Sequence, residues 1–176
     1  MKTVFWLALG NEMYNKPMKT TLLFPLTILL LFSCSGQSHK RSNIDEFYTA
    51  KGEWDSARLP FIKPYEAIIV TKESGWGMNL EGIDGDTGFS HIKKANVIDG
   101  VILVYYTNSI LHGNYVKEGW YVVVPAKKIE RGFSTHKKYL KYLESIHISA
   151  EPILYDIESI ADYYEYHDII DWKKIH

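Results

Sequence analysis

The only thiol in this 176-residue sequence belongs to Cys34, which stands between an apolar run and a polar one. Leu22 to Phe32 lie before it, and Ser35-Gly36-Gln37-Ser38 follow it. A buried structural thiol needs a folded core around it, which such a polar segment does not provide. A single cysteine also excludes an intramolecular disulfide framework and a multi-cysteine metal site. The chemistry that remains for Cys34 is modification of its sulfur, with the polar segment as a tether.

The residues before Cys34 have the order of an export signal. Lys19 supplies a positive charge, the apolar run follows, and Leu31-Phe32-Ser33 ends at the cysteine. This ending resembles the lipobox of bacterial lipoprotein precursors. The resemblance implies that Cys34 becomes the lipidated first residue of the mature protein. It also implies that the lipid holds the protein on a membrane of the cell envelope, the outer membrane where there is one.

Length separates this segment from a membrane-spanning helix. Eleven apolar residues in a helix extend roughly 16 Å, whereas the hydrocarbon core needs about 30 Å. Pro25 interrupts the run as well. The alternative to lipidation is ordinary cleavage after Ser35, with Ser33 and Ser35 as the small residues of the site, which would release a soluble protein.

The first seventeen residues serve no part of a signal peptide, because Asn11, Glu12 and Asn15 make them polar ahead of Lys19. We therefore predict that translation starts at Met18, with Met13 as a less tidy possibility. The predicted organisation is an added extension (1–17), a lipoprotein signal peptide (18–33), a polar tether (34–43) and a single globular domain (44–176).

The net charge of the mature protein limits the classes of partner that it can bind. Of the chain's 20 Lys+Arg and 21 Asp+Glu, three cations and one acid precede Cys34, so the mature protein has a net charge near −3. This offers no positive field for nucleic acid. Thirteen tyrosines and five tryptophans in the whole chain supply enough aromatic area for a folded core.

Candidate metal and catalytic motifs are incomplete. Asp84-Gly85-Asp86-Thr87-Gly88 resembles the first half of a calcium loop, but Gly88 and Ala95 occupy the fifth and twelfth positions, where ligands are needed. Among the seven histidines no pair has the i,i+4 spacing of a zinc helix. No nucleophile elbow, P-loop or dinucleotide glycine pattern occurs. We expect no metal and no cofactor, and enzymatic activity is left open but not favoured.

The centre of the chain predicts β-structure. His91 to Ile98 and Val101 to Tyr106 flank Asp99-Gly100, a pair that suits a type I′ hairpin turn. Val101 to Tyr106 is apolar without alternation, which predicts a central strand covered on both faces. Leu59 to Pro64 should be extended, because residues before proline avoid the helical region.

Two helices are predicted after the strands. The first is capped by Ser134 or Thr135 and runs to about Ile146, and the second begins at Asp156. The predicted fold class is α+β: a meandering antiparallel sheet followed by two C-terminal helices, at least one of which covers a sheet face.

Charge is segregated along the C-terminal third. Lys117 to Lys141 contains seven cations and two acids, whereas Glu144 to Asp171 contains eight acids and no Lys or Arg. Tyrosines are interleaved with the acids, which suggests a face where acids steer a basic partner and aromatic rings anchor it. The candidate partner-binding residues are Asp162, Tyr163, Glu165, Tyr166 and Asp168. The competing interpretation is a solvated helix face whose tyrosines pack inward.

A second resemblance covers about a quarter of the mature chain. This part of the chain resembles uncharacterised single-domain bacterial lipoproteins. It comprises Gly119 to Pro125, Lys127 to Ile129 and Gly132-Phe133, followed by a helix with Tyr139 and Leu143. This resemblance implies no particular activity.

Three functions compete. The favoured one is a lipid-anchored monomer that binds or inhibits a basic protein, immunity proteins being one instance. The others are a periplasmic or surface enzyme acting on wall or glycan, and a structural or assembly accessory of the envelope. Two carboxylates facing each other across a cleft, about 5 to 10 Å apart, would favour the enzyme.

Overall fold

The computed structural model describes residues 44–52, 56–69, 71, 73–148 and 151–176. The leader, Cys34 and the tether lie outside the described residues, so the predictions for those segments stay predictions. The strands of the described part are β1 (Ala57–Ile62), β2 (Tyr65–Ile69), β3 (Gly77–Asn79), β4 (Gly88–Phe89), β5 (Ile92–Ile98), β6 (Val101–Leu111), β7 (Asn114–Val124), β8 (Ile129–Phe133) and β9 (Tyr155–Asp156). The helices are α1 (His136–Ser145) and α2 (Ile157–Glu165), with short 3-10 helices at Glu46–Tyr48 and Pro125–Lys127.

Within the described ranges the strands form two antiparallel sheets rather than one. The first sheet has the order β1-β2-β3-β4, and the second has the order β8-β7-β6-β5-β9. Sequential strands are neighbours from β1 to β4 and from β5 to β8, so the meander is confirmed. The α+β class is confirmed too, with the short β9 inserted between the two helices where it pairs with β5.

The predicted hairpin joins β5 to β6. Asp99 and Gly100 have φ angles of 49° and 78°, the positive pair that a type I′ turn requires. β6 occupies the middle of the second sheet. Ile102 and Val104 face one apolar cluster and Leu103 faces another, so the prediction of a strand covered on both faces is confirmed.

These two clusters divide the fold into layers. The first core lies between the two sheets and includes the buried side of α2: Ile157, Ile160 and Tyr164. The second core lies on the opposite face of the second sheet, where Tyr139 and Leu143 of α1 cover it. Each helix therefore has its own apolar cluster, as helices with one apolar stripe require.

The helix starts follow the sequence closely. Thr135 is the N-cap residue of α1, although its side chain makes no capping hydrogen bond. Asp156 caps α2 with a 3.0 Å bond that its carboxylate accepts from the amide of Glu158. β1 contains Pro60 and lies at an edge of the first sheet, where a missing N–H is tolerated.

Candidate functional site

The candidate binding face lies on the outer side of α2 and on the residues just after it. Ile157, Ile160 and Tyr164 turn inward at helical spacing, which directs Asp162 and Glu165 to solvent. The acids and the apolar residues therefore lie on opposite sides of this helix.

Three long-range contacts fix α2 against the rest of the fold. The hydroxyl of Tyr164 donates to the carbonyl oxygens of Tyr48 and Ala50, at 2.9 and 3.1 Å. The indole N–H of Trp76 donates to Glu158 at 3.0 Å. These bonds attach both ends of α2 to the rest of the fold. The acidic face therefore lies on a helix with a fixed position.

The five candidate residues do not share one environment. Asp162, Glu165 and Asp168 are exposed, and Tyr166 is the most exposed of the candidates at 85%. Tyr163 is half-buried: its ring stacks on His167 with the centroids 3.9 Å apart and the planes 2° from parallel. Of the two tyrosines, Tyr166 is therefore the one available as an anchor.

The charges on this face are uncompensated in the described part of the chain. No ion pair there involves Asp162, Glu165 or Asp168. Negative charge near the C-terminal end of a helix also opposes the helix dipole. The amine of Lys51 offsets some of this by donating to the carbonyl of Glu165 at 2.6 Å. Asp162 and Glu165, which lie in the last turn of α2, therefore do not help this helix to form.

The basic half of the segregated charge lies elsewhere, around α1 and β8. Arg131, Lys138 and Lys141 line a groove of 510 Å³. The guanidinium carbon of Arg131 lies 5.0 Å from the ring centre of Tyr142. Lys138 and Lys141 of α1 and Asp162 and Glu165 of α2 thus lie on different helices, which pack in different cores.

Two acids lie inside the fold, although no pattern in the sequence predicts their burial. Glu130 is 3% exposed and accepts hydrogen bonds from the hydroxyl of Tyr65 and the amides of Glu81 and Ile83. Asp86 is 9% exposed and accepts a 2.8 Å bond from the amide of His112. The Asp84–Gly88 segment is therefore held by the β6–β7 turn. Residues 84–87 form a loop, and Gly88 begins β4.

A second polar site was missed by the sequence interpretation. Glu118 and Glu151 line one cavity together with Trp120, His136 and Tyr139. In the sequence, Glu118 is one of two acids within a basic stretch, and Glu151 is one of the eight acids in the acidic stretch. Neither position by itself indicates a site. The available signal was the period of two in β7, which places Glu118 on the same face as Trp120.

Within the described residues no group of three or more His, Cys, Asp or Glu side chains is arranged to hold a metal ion. None of the helices in that part of the chain has the length and apolarity needed to cross a membrane. In comparisons with known proteins, no family model, curated protein or solved structure matches this chain.

Proposed function

We propose that this protein is a lipid-anchored, non-enzymatic binding protein of the bacterial envelope. Its acidic aromatic face, defined as Asp162, Glu165, Tyr166 and Asp168, would dock a basic protein, as an inhibitor or immunity protein does. The observation that carries this proposal is Tyr166, a large aromatic side chain that is 85% exposed beside acids without an ion pair in the described residues.

The physical roles on this face are separate. Exposed acids attract a basic partner over about a Debye length, so they raise the rate of association. An aromatic side chain buried on docking supplies much of the energy that slows dissociation. Ile169 is 41% exposed and extends the apolar part of the same segment. The acids should therefore determine the association rate, and Tyr166 should determine the dissociation rate.

The leader supports the location of this function. Cleavage of the signal peptide before Cys34 would leave a polar tether between the lipid and the domain, with the domain free in solution beside a membrane. Acyl chains on the cysteine would give a stable anchor, because two or more chains hold a protein where one does not. The partner would then be met at the envelope.

The test is capture by the full-length protein from detergent-solubilised membranes, followed by measurement of association and dissociation rates with the captured protein. Asp162→Lys/Glu165→Lys should slow association about tenfold or more. The matched control is Glu73→Lys/Glu144→Lys, which makes the same charge change at exposed acids outside the face. Equal rates for the two double variants would refute the docking face.

The aromatic anchor has its own control. Tyr166→Ala should speed dissociation, whereas Tyr115→Ala should leave it unchanged, because Tyr115 is 67% exposed on the distant β6–β7 hairpin. Raising the salt concentration should weaken binding of the wild type and should matter less for the double variant. A salt-independent association rate would argue against steering by these acids.

A further inference from the structure

A cavity of 340 Å³ lies on the second-core side of the second sheet, away from the acidic aromatic face. β5, β6 and β7 form its floor, the start of α1 forms one wall and the segment before β9 forms another. The residues that line it are Lys94, Tyr105, Glu118, Trp120, His136, Tyr139, Glu151, Pro152 and Leu154. We call this the aromatic–carboxylate cavity.

Strand register gathers the floor of this cavity. Lys94 pairs with Tyr105 across β5 and β6, and Tyr105 pairs with Trp120 across β6 and β7. Side chains directly opposite each other in a sheet lie on the same face. Glu118 precedes Trp120 by two residues and shares that face. Four side chains from three strands therefore converge without any contribution from a loop.

Hydrogen bonds place the wall before β9. The side-chain amide of Asn96 donates to the carbonyl of Ile153 at 2.7 Å, and Tyr155 then pairs with Ala95. Nε2 of His136 lies 3.2 Å from Oε1 of Glu151, which connects this wall to the start of α1. The wall is thus held both to the sheet and to the helix.

Aromatic rings pack against one another along one side of the cavity. The ring of Trp120 lies 5.4 Å from that of Tyr105 and 5.0 Å from that of His136, centroid to centroid. The ring of Tyr139 stacks at 6.1 Å from Trp120. These contacts hold the rings in place before any ligand binds, which lowers the entropy lost on binding.

The cavity also contains polar groups that are not fully used. The hydroxyl of Tyr105 donates to Glu118 over a long 3.3 Å bond. The hydroxyl of Tyr139 is buried and has no hydrogen-bond partner in the described residues. Burial, and then the nearby charge of Glu151, raise the pKa of Tyr139, so its hydroxyl stays protonated and able to donate. The hydroxyl of Tyr139 is closed off from the cavity, so the groups left for a ligand are the hydroxyl of Tyr105 and the carboxylate of Glu118.

We propose that the aromatic–carboxylate cavity binds a saccharide. The carboxylates of the cavity accept hydrogen bonds, and its ammonium and phenol groups donate them. This mixture matches sugar hydroxyls, each of which can both donate and accept. Flat aromatic rings have negative faces that suit the polarised C–H groups of a sugar ring. Pockets for small ligands are about 300–1,000 Å³, so the volume suits one or two sugar units. A purely cationic ligand would instead meet the ammonium of Lys94.

The test uses saturation-transfer difference NMR on the full-length protein in detergent micelles. The probes are N-acetylglucosamine, methyl β-glucoside and galacturonic acid, with tetramethylammonium as the cationic comparison. At least one sugar should give a saturable signal. Its affinity should fall about tenfold in Glu118→Gln and in Tyr105→Phe, because each variant alters a hydrogen-bonding group that lines the cavity.

Matched controls separate binding from folding. Glu144→Gln and Tyr115→Phe make the same chemical changes at exposed sites outside the cavity, and they should keep the wild-type affinity. Circular dichroism on each variant checks that the fold is intact. The proposal is overturned if no sugar gives a saturable signal, if only tetramethylammonium does, or if the cavity variants and their controls bind equally.

Discussion

The hydroxyl of Tyr65 in β2 donates a 2.9 Å hydrogen bond to the carboxylate of Glu130 in β8, and this bond joins the two sheets. The same carboxylate accepts 2.7 and 2.8 Å bonds from the amides of Glu81 and Ile83. Three donors and no cation surround it among the described residues. Glu130 thus closes one end of the interface between the sheets with hydrogen bonds rather than an ion pair.

Replacing Glu130 should therefore destabilise the fold strongly. Glu130→Ala leaves three buried donors without an acceptor and should lower the free energy of unfolding by about 3 to 5 kcal/mol. Tyr65→Phe removes only one donor and should cost about 1 kcal/mol. Urea denaturation of both variants tests this. A loss for Glu130→Ala no larger than that for Tyr65→Phe would contradict the role given to the carboxylate.

The centre of β6 should be the least tolerant segment. Leu103 and Val104 are both 0% exposed and face opposite cores. Leu103→Ala should lower the free energy of unfolding by about 2 to 5 kcal/mol, and Val104→Asp should prevent folding because it buries a charge. Hydrogen exchange should find the amides of Val101 to Tyr106 among the slowest in the protein. Fast exchange there would be inconsistent with a central strand.

Stability should fall at alkaline pH. Burial is the largest cause that raises the pKa of Tyr65, Tyr106 and Tyr121 above the ordinary value of 10. Above pH 10 the unfolded chain loses these protons and the folded chain keeps them. The stabilisation is thus complete below pH 10 and is lost as pH rises, by about 1.4 kcal/mol per pH unit for each such tyrosine.

A phenylalanine variant isolates this effect from the titration of lysines. The hydroxyl of Tyr106 has no partner in the described residues, so Tyr106→Phe should fold normally. Urea denaturation between pH 9 and 11 should give a shallower decline for this variant than for the wild type. Identical slopes would mean that Tyr106 does not contribute to the pH dependence.

Lipidation of Cys34 should determine where the protein is found. Cys34→Ser should move it from the membrane fraction to the soluble fraction, because the acyl chains are its proposed anchor. Labelled palmitate should enter the wild type and not the variant. If the wild type incorporates no label, the lipobox interpretation is wrong and cleavage after Ser35 becomes the better explanation.

Export should not need the first seventeen residues. A chain that begins at Met18 keeps Lys19 and the apolar run Leu22 to Phe32, which together are the predicted leader. Its membrane fraction should equal that of the 176-residue chain. Loss of export on deletion of residues 1–17 would show that the extension is functional.

The sequence by itself determined the local features of this fold. Asp99-Gly100 specifies its turn because both residues tolerate positive φ, and Asp156 starts α2 because its carboxylate reaches the amide of Glu158. The unbroken apolar run of β6 requires cover on both faces wherever the strand lies. These features depend on residues that are close in the sequence, so they can be predicted without knowledge of the fold.

Only the tertiary structure decided how distant segments meet. The division into two sheets depends on pairing between strands, which has no local signature in a meander. Burial of Glu130 depends on donors about 50 and 65 residues away in the chain, and the aromatic–carboxylate cavity needs Glu118 and Glu151 on facing elements. Acids are usually exposed, so sequence alone favours the surface for them. Their partners, which the packing supplies, determine where they lie.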